Sequence, residues 1–594
     1  MECKARKDMD ARYMWDLSDI YPSMDAWEAA FAAALSDVPA IAAWKGRLTQ
    51  SAASLKEGLD ALFVLEERLS RVYVYAMLNK SGDNGDAQAQ AMEDRATNLT
   101  MQFSAAASFI TPEILSLPKE TLDAFRKDAR LCGYAHILDN IERGRAHTLD
   151  AQRETMLALL SDAAGTPDNA FTMLESVDMT FPNMLDESGK EIAITHGTFG
   201  VLRESRDARV RKEAFEKYFG EFNRYINTFA AMYGGSVKFD TFYAAVREYP
   251  SACEQALFAS NVPISVYDNL VSAIHANLGS MEKYLSLRKK ALGLDVLHMY
   301  DLYVPIVSDV EYHIPYQQAQ SIVLEALAPL GADYGALLQK AFAEDWIDVY
   351  ENAGKTTGAF SCGVYGVHPY VLLNYTDTLE DVFTVAHELG HAMHSYKSAQ
   401  NNDYANHDYR IMVAEVASTV NEVLLLKHLL HKETEPAKRA YLLNRYLENF
   451  RTTVFRQTLF AEFERKAHDM QQAGEPLTAQ ALNALYKELN ELYYKGAVID
   501  PLQEIEWARI PHFYRSFYVY QYATGFCSAV SIASHILETG DASEYLRFLT
   551  TGGSDYPLNE LKIAGVDLTR PAVVDNAMQV FESTIEALSK LLIK

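Results

Sequence analysis

The sequence predicts a mainly α-helical protein. Apolar residues recur every three or four positions along most of the 594 residues, which is the period of a helix with one buried face. Only residues 178–200 and 354–375 show the short apolar runs and glycine-containing turns that are typical of strands. The chain has no internal repeat, low-complexity tract or long linker. We therefore expect helices to dominate, with a small amount of sheet.

The first 110 residues are predicted to form an N-terminal helical region. A helix is expected from about Met24 with Ser23 as its cap, because a serine side chain can accept a hydrogen bond from the first turn. A polar stretch with two glycines at residues 79–85 interrupts the helical pattern. This break predicts two long helices that form an antiparallel pair.

Residues 111–195 are predicted to form a second region. It is expected to be helical to about Ser176 and to end in a β-hairpin that turns at residues 187–190. The main domain boundary falls at the end of this hairpin. Residues 196–594 are therefore predicted to form the largest domain.

The pattern inside this third region also predicts mostly helices. Residues 201–243 are expected to be helical, with several basic side chains on one face. Another helix is expected to begin at Ser265 or Asp268, after Pro263. Further helices are expected near residues 315–344. Two short strands joined by a glycine-rich turn then follow at 354–375.

Composition excludes several classes of function. The net charge of −26 leaves no basic surface for nucleic acid, and an acidic membrane surface would repel the protein. The five cysteines are widely spaced and odd in number, which indicates reduced thiols rather than a disulfide framework or a thiolate zinc site. The sequence shows no signal-peptide core and no apolar run long enough to span a bilayer. A cytoplasmic protein is therefore expected.

One stretch predicts a metal site. It holds His387-Glu388-Leu-Gly-His391 in an apolar pattern of helical period, which begins after a cap at Asp377 or Thr378. On a helix the two histidines lie one turn apart on one face, so both imidazoles can bind one ion. Glu388 lies beside them, where a carboxylate can assist hydrolysis of a peptide. A chance match is on the order of a few per cent, so the motif needs support from other residues.

The next helix offers a third ligand, which a catalytic zinc site with two histidines requires. This helix is nearly all apolar, except for a stripe with Glu415 and Glu422 seven positions apart on one face. A carboxylate in apolar surroundings is costly unless it is paired or binds a metal. Glu415 is therefore predicted to be the third ligand, and Glu422 to orient a ligand histidine. His407 and Asp408, on the preceding loop, stay as alternative ligands, and a solvent-facing stripe is the alternative explanation.

Two residues near the motif are candidates for weaker roles. His394 lies seven positions after His387 on the same face, so it could be another polar contact to the site. A hydrogen bond from His394 to the backbone is the simpler expectation. Cys362, in the turn before the motif, could bind zinc, but a small buried thiol is the simpler interpretation.

A separate segment offers hydrogen-bond donors. It carries one histidine and four tyrosines, namely His512, Tyr514, Tyr518, Tyr520 and Tyr522. Amide hydrolysis passes through an oxyanion, which a tyrosine hydroxyl or a histidine N–H can stabilise. At least one of these side chains is expected to face the site. The alternative is ordinary helix packing, because three of the tyrosines are spaced four apart.

Together these residues resemble the oligoendopeptidase F family, whose relatives are thimet oligopeptidase and neurolysin. The motifs that carry the resemblance are His387-Glu-Leu-Gly-His391-Ala-Met-His394, Glu415-Val-Ala-Ser-Thr-Val-Asn-Glu422 and the segment 511–525. It extends to Trp15-Asp-Leu-Ser-Asp-Ile-Tyr-Pro near the start and Gly552-Gly-Ser-Asp-Tyr-Pro near the end. It therefore covers essentially the whole chain.

The resemblance implies a mainly helical, two-lobed fold with a deep substrate channel and a small β-sheet beside the metal. One zinc ion is expected at the floor of this channel. In the family, the residues that match His387, His391 and Glu415 bind zinc, and the match to Glu388 is the general base. The residues that match Gly358-Ala359-Phe360 lie on a strand that pairs with the substrate backbone.

The same resemblance implies that a histidine and one or two tyrosines stabilise the oxyanion. We assign these roles to His512 and to Tyr520, with Tyr518 as second choice. The implied activity is zinc-dependent cleavage of internal bonds in short peptides, with folded proteins excluded. Two alternatives stay open: a zinc carboxypeptidase or dipeptidase that trims peptide ends, and an inactive peptide-binding protein. The sequence carries no signal for the oligomeric state.

Overall fold

Helices hold 71% of the residues in the computed structural model, which describes residues 4–307, 310 and 312–593. This confirms the predicted mainly α fold class. The chain forms two units, each assembled from three separate stretches. Unit 1 comprises Met1–Ala146, Tyr312–His428 and Ile532–Val566, and unit 2 comprises His147–Glu311, Leu429–Ser531 and Asp567–Lys594. The predicted domain boundaries after residues 110 and 195 stay predictions.

The regular elements are numbered along the chain. The α-helices are α1 (Met24–Ala42), α2 (Ala52–Gly82), α3 (Ala87–Ala107), α4 (Ile110–Leu115), α5 (Lys119–Arg126), α6 (Ala135–Arg143), α7 (Ala151–Ala164), α8 (Thr166–Met173), α9 (His196–Leu202), α10 (Ala208–Arg224), α11 (Ile226–Val246), α12 (Ala252–Phe258), α13 (Ile264–Ala276), α14 (Leu278–Ala291), α15 (Tyr316–Ala326), α16 (Ala332–Ala343), α17 (Leu379–Asn401), α18 (Ile411–Lys432), α19 (Pro436–Asn449), α20 (Arg456–Gln472), α21 (Ala479–Tyr493), α22 (Tyr520–Thr539), α23 (Ser543–Phe548), α24 (Pro557–Ile563) and α25 (Ala572–Leu592). The strands are β1 (Met184–Leu185), β2 (Glu191–Ile192), β3 (Ile347–Asp348), β4 (Phe360–Cys362) and β5 (Tyr370–Leu372).

Short 3₁₀ and π segments connect several of these helices. The 3₁₀ segments are Arg6–Asp8, Ala11–Tyr13, Leu17–Asp19, Ala129–Tyr134, Gly144–His147, Met299–Asp301, Ala328–Leu330, Tyr404–Asn406, Pro501–Arg509 and Pro511–Tyr514. The π segments are Leu174–Asp178 and Phe450–Phe455.

The N-terminal helices follow the predicted pattern. Helix α1 begins at Met24, and the Ser23 hydroxyl accepts a hydrogen bond from the backbone N–H of Ala26 at 3.2 Å. Helix α2 ends at Gly82 and α3 begins at Ala87, which confirms the predicted break. Both the cap and the break depend on local backbone chemistry, so the sequence alone was sufficient to locate them.

Two small sheets complete the fold. Strands β1 and β2 pair antiparallel, which confirms the hairpin that turns at residues 187–190. In the second sheet, β5 pairs antiparallel with β4 and parallel with β3, so the strand order is β3-β5-β4. Strand β3 is missing from the predicted elements because its two residues are too few to show a period. Strand β4 lies at an edge of this sheet.

One predicted helix start agrees to within one residue, and one predicted helical stretch is divided. Helix α13 begins at Ile264, directly after Pro263 and earlier than predicted, since a proline is tolerated next to the first turn of a helix. The helix predicted over residues 201–243 is divided into α9, α10 and α11. A turn before α10 interrupts it, and the Asp207 side chain caps the new helix.

Candidate metal centre

Helix α17 places both motif histidines on one face. Its start is set by a capping box, in which the Thr378 hydroxyl accepts a hydrogen bond from the N–H of Asp381 at 3.2 Å. In return, the Asp381 carboxylate accepts from the N–H of Thr378 at 2.9 Å. The box satisfies backbone N–H groups that would otherwise lack partners, so it determines where the helix begins. His387 and His391 then lie one turn apart.

Helix α18 crosses α17 at Gly390. A Cβ atom at Gly390 would lie only 2.5 Å from the Cα atom of Ser418, so any larger residue would push the helices apart. The Asn421 side chain stabilises the contact between the two helices, because its amide donates a hydrogen bond to the carbonyl oxygen of Ala386 at 3.0 Å. This close approach brings the polar stripe of α18 to the histidines of α17.

Three potential ligand atoms meet at this crossing. His387 Nε2 lies 3.2 Å from His391 Nε2, and Glu415 Oε2 lies 3.5 Å from each of them. When ligand atoms lie about 2.0–2.1 Å from a tetrahedral zinc ion, they lie about 3.3 Å from one another. The three side chains therefore fit a single ion. The alternative ligands His407 and Asp408 do not belong to this group, which is the only one of its kind found among the described residues.

Glu422 has the position predicted for a residue that orients a ligand. Its carboxylate accepts a hydrogen bond from Nδ1–H of His387 at 2.6 Å. This bond leaves Nε2 of His387 to face the metal position. Burial lowers the pKa of His387, but the hydrogen bond to Glu422 and the neighbouring carboxylates raise it to about 9. A metal that binds at Nε2 therefore has to displace a proton.

Glu415 is held in its ionised form. Burial raises the pKa of Glu415, but the hydrogen bond to His391 and the charges of both histidines lower it to about 2. The Ser418 hydroxyl donates a further hydrogen bond to Glu415 Oε2 at 3.1 Å. Glu415 is thus a carboxylate at neutral pH, which is the form that binds a metal.

Glu388 is buried and lies beside the predicted metal ligands. It follows His387 directly in α17 and is 7% exposed. Burial raises the pKa of Glu388 above its usual range, because the charged form loses contact with water. A carboxyl group with a raised pKa suits a role in which it accepts a proton and later returns it.

The backbone hydrogen bond predicted for His394 is wrong. Its ring is fully buried and stacks on Tyr409, with the two ring centroids 3.7 Å apart. Neither ring nitrogen has a hydrogen-bond partner in the part of the chain that the structure describes. Burial lowers the pKa of His394 to about 3, so the ring is neutral. His394 therefore packs beneath the site and makes no polar contact with it.

Cys362 is a thiol and not a member of the ligand group. It lies in β4, and burial raises its pKa to about 12. The thiol therefore stays protonated at neutral pH, which makes it a weak metal ligand. Cys362 is therefore a free thiol, as the simpler interpretation has it, but it is half-buried and lies in a strand instead of a turn.

Strand β4 presents an open edge in unit 1. It pairs only with β5 among the described strands, so an extended peptide could add to its other side. Gly358 leads into the strand with a φ of 81°, a conformation that favours glycine. The Asn374 amide donates a hydrogen bond to the carbonyl oxygen of Gly358 at 2.8 Å and holds this turn. Substrate pairing at Gly358, Ala359 and Phe360 stays a prediction, and this edge supports it.

The predicted oxyanion donors lie in unit 2, on a segment that a turn interrupts. Phe517 has a φ of 61°, and α22 begins only after this turn. The alternative of ordinary packing along one helix therefore does not hold, because this turn lies between Tyr514 and the other two tyrosines, Tyr518 and Tyr522. The backbone N–H of Phe517 donates a hydrogen bond to the buried carboxylate of Glu464 at 2.8 Å, which stabilises the strained turn.

The turn gives the tyrosines different surroundings. Tyr520 is 2% exposed, and its ring packs on Tyr267 with the centroids 5.2 Å apart. This burial argues against our choice of Tyr520 as the first donor, because a buried hydroxyl cannot reach a substrate. Tyr518 is partly exposed, and the Tyr522 hydroxyl lies 3.4 Å from His512 Nε2. The sequence placed Tyr522 among the candidates but gave no reason to prefer it, because the turn at residue 517 has no sequence signal.

We expect the Gly390→Ala protein to be destabilised and to bind metal more weakly. The added Cβ meets the backbone of α18, which cannot move aside as a side chain could, and such overpacking costs about 1–3 kcal/mol. Thermal unfolding with and without zinc measures both effects. Gly220→Ala, in the middle of α10 with no atom within 4 Å of the added Cβ, is the control. Equal melting temperatures for the two variants would contradict the tight crossing.

The fold and the site define a class of protein, the metallopeptidases. Residues 201–580 match the sequence pattern of Peptidase family M3, and residues 113–181 match that of Oligopeptidase F. The chain belongs to peptidase family M3, within the oligoendopeptidase F group. This confirms the resemblance that the motifs carry.

Relatives and solved structures agree with this membership. The chain is 42% identical to oligopeptidase PepF of Bacillus subtilis over 595 residues, which cover 99% of this chain and 88% of the relative. It is 35% identical to crystalline oligoendopeptidase-F from Enterococcus faecium, with a TM-score of 0.74 and coverage of 95% and 98%. A crystal structure of a candidate peptidase from Chlamydophila abortus is 34% identical, with a TM-score of 0.94 and coverage of 99% and 100%.

Family membership settles the general activity. The chain is an oligopeptidase, a hydrolase whose family implies a bound metal and peptide substrates. This confirms the predicted enzyme class. None of the helices in the described residues is both long enough and apolar enough to cross a membrane.

Proposed function

We propose that this chain is a zinc-dependent oligoendopeptidase of the cytoplasm that hydrolyses internal bonds of short peptides. The observation that carries the proposal is the group of three ligand atoms, 3.2 and 3.5 Å apart, beside a buried glutamate. The choice of zinc is supported by the ligand set, since two imidazoles and one carboxylate are common at catalytic zinc. The cytoplasmic location is supported by the four described cysteines, which are all free thiols.

The residues of unit 1 would hold the metal and move a proton. His387, His391 and Glu415 supply three ligands, which leaves one coordination position open. Bound zinc would supply a Lewis acid for the scissile carbonyl group. Glu388 would take a proton from the attacking water and pass it to the leaving amine.

The donors of unit 2 would stabilise the oxyanion. Burial, together with the charges of Arg515 and Arg456, lowers the pKa of His512. His512 is therefore neutral at pH 7 and keeps one N–H to donate. Tyr518 and Tyr522 supply hydroxyl donors close to this ring. We assign the oxyanion role to these three side chains.

Peptides with blocked ends test the proposal. An acetylated and amidated peptide should be cut at internal bonds, a zinc chelator should stop the reaction, and added zinc should restore it. Cleavage restricted to peptides with a free terminus would instead support a carboxypeptidase or dipeptidase. Peptide binding without cleavage by zinc-loaded protein would support an inactive binding protein.

We expect the Glu422→Gln protein to bind zinc about 10–100-fold more weakly, because a neutral amide holds His387 less firmly. The fold should be unaffected, since a glutamine has the same shape. Competition with a chromophoric chelator measures the affinity. Glu344→Gln, at an exposed position after α16, is the matched control and should leave the affinity unchanged. Unchanged affinity in the Glu422→Gln protein would show that the hydrogen bond does not support the metal.

A further inference from the structure

Unit 2 contains a cavity of about 30 Å³ that is lined by four arginines. They are Arg203, Arg451, Arg456 and Arg509. A water molecule needs about 10–15 Å³ on this measure, so the cavity has room for at least one small guest. Neither the metal ligands nor the predicted oxyanion donors line it.

Positive charge exceeds negative charge around this cavity. Arg451 and Arg288 share one carboxylate, that of Glu448, at 2.6 and 2.9 Å. Arg456 is paired with Glu506 at 2.6 Å. Three arginines are therefore paired with only two carboxylates, which leaves one positive charge without a partner of its own. The other two arginines of the cavity, Arg203 and Arg509, add to this excess.

The two carboxylates have little capacity left for further arginines. Glu506 also accepts hydrogen bonds from the Tyr486 hydroxyl and the Gln503 amide, both at 2.7 Å. Glu448 also accepts one from the Tyr284 hydroxyl. Each carboxylate is already bound on both oxygens, and Glu506 neutralises Arg509 only through the longer-range attraction of their charges.

Arg203 and Arg509 make no ion pair with any described residue, and their Nε atoms are buried without a hydrogen-bond partner. The Arg203 guanidinium lies over the ring of Tyr303, with Cζ 3.6 Å from the ring centroid. The Arg509 guanidinium lies over Tyr218 at 5.4 Å. Aromatic rings compensate a cation only in part, and burying a charge without a counter-ion is costly.

The excess of positive charge lowers the pKa of Tyr303. Its ring lies between Arg203 and Arg451, whose Cζ atoms are 3.6 and 4.6 Å from the ring centroid. Burial raises the pKa of Tyr303, but the charges of Arg456, Arg203 and Arg451 lower it to about 8. The phenols of Tyr303 and Tyr494 also line the cavity, so they add hydroxyl donors to the guanidinium groups.

We propose that this cavity binds one small monovalent anion of the size of chloride. The anion supplies missing negative charge to the arginines, and the cavity has room for at least one ion of this size. Arg509 precedes His512 by three residues. The bound anion would therefore also stabilise the start of the segment that carries the oxyanion donors. The proposal depends neither on the metal nor on peptidase activity.

Thermal unfolding of the full chain tests this site. At pH 7 and constant ionic strength, the melting temperature should rise and then saturate as chloride replaces gluconate. The Arg203→Met protein should lose this rise. The Arg224→Met protein should keep it, because Arg224 is 68% exposed in the same unit. An equal response to chloride and gluconate in the unaltered chain, or an equal rise in both variants, would overturn the proposal.

Two further measurements do not depend on any variant folding. Crystals soaked in bromide should give an anomalous peak inside the cavity, and peaks confined to the surface would contradict the site. Ultraviolet titration should show one tyrosine that ionises near pH 8 in gluconate and at higher pH in chloride, because a bound anion disfavours a phenolate. If this ionisation is the same in both salts, the Tyr303 phenolate is itself the counter-ion and the proposal fails.

Discussion

The Glu388→Gln protein is expected to hydrolyse peptides about 10²–10⁴-fold more slowly while it keeps its metal. Glutamine has the shape of glutamate but cannot accept a proton from the attacking water. The three ligand atoms belong to other residues, so they stay in place. Turnover of an internally quenched peptide and metal content by mass spectrometry should be measured on the same sample.

The control for this variant is Glu380→Gln, at an exposed position in the first turn of the same helix. It should keep both metal and activity. Wild-type turnover by metal-loaded Glu388→Gln protein would refute the proton-transfer role. Loss of metal together with activity would show that Glu388 maintains the site rather than moving the proton.

Sequence reasoning located the part of the site that local chemistry determines. The spacing of His387 and His391 sets their relation on any helix, and a capping pair at Thr378 sets where that helix begins. Glu415 was inferred from the cost of burying a carboxylate. The structure adds the close crossing at Gly390, a contact between distant backbones that has no local pattern.

Features that depend on contacts between distant residues could not be predicted from the sequence. A four-residue spacing of tyrosines indicates a helix, but the turn at Phe517 is stabilised by Glu464, which lies 53 residues away. The arginine-lined cavity is likewise formed by residues that are far apart in the chain. Arg203 and Arg451 are far apart in the chain and meet only through the packing of unit 2. Such sites leave no period or motif in the sequence.

The Glu415→Gln protein is expected to lose most of its metal on dialysis and, with it, nearly all peptidase activity. Removing a residue that merely orients a ligand costs about 10–100-fold in affinity, so removing the charge of a direct ligand should cost more. The amide keeps the size of the side chain, so the melting temperature of the metal-free protein should change little. Metal stoichiometry, zinc affinity and turnover are the three quantities to measure.

Comparison of this variant with Asp408→Asn also tests which residue is the third metal ligand, a choice that the sequence left open. Asp408→Asn makes the same chemical change at the loop alternative, which is exposed and outside the group of ligand atoms. If Glu415 is the third ligand, the Glu415→Gln protein loses the metal and the Asp408→Asn protein keeps it. The reverse result would mean that the loop closes over the metal. The 3.5 Å distances from Glu415 Oε2 to both histidines favour the first result, because they are already those of ligands around one ion.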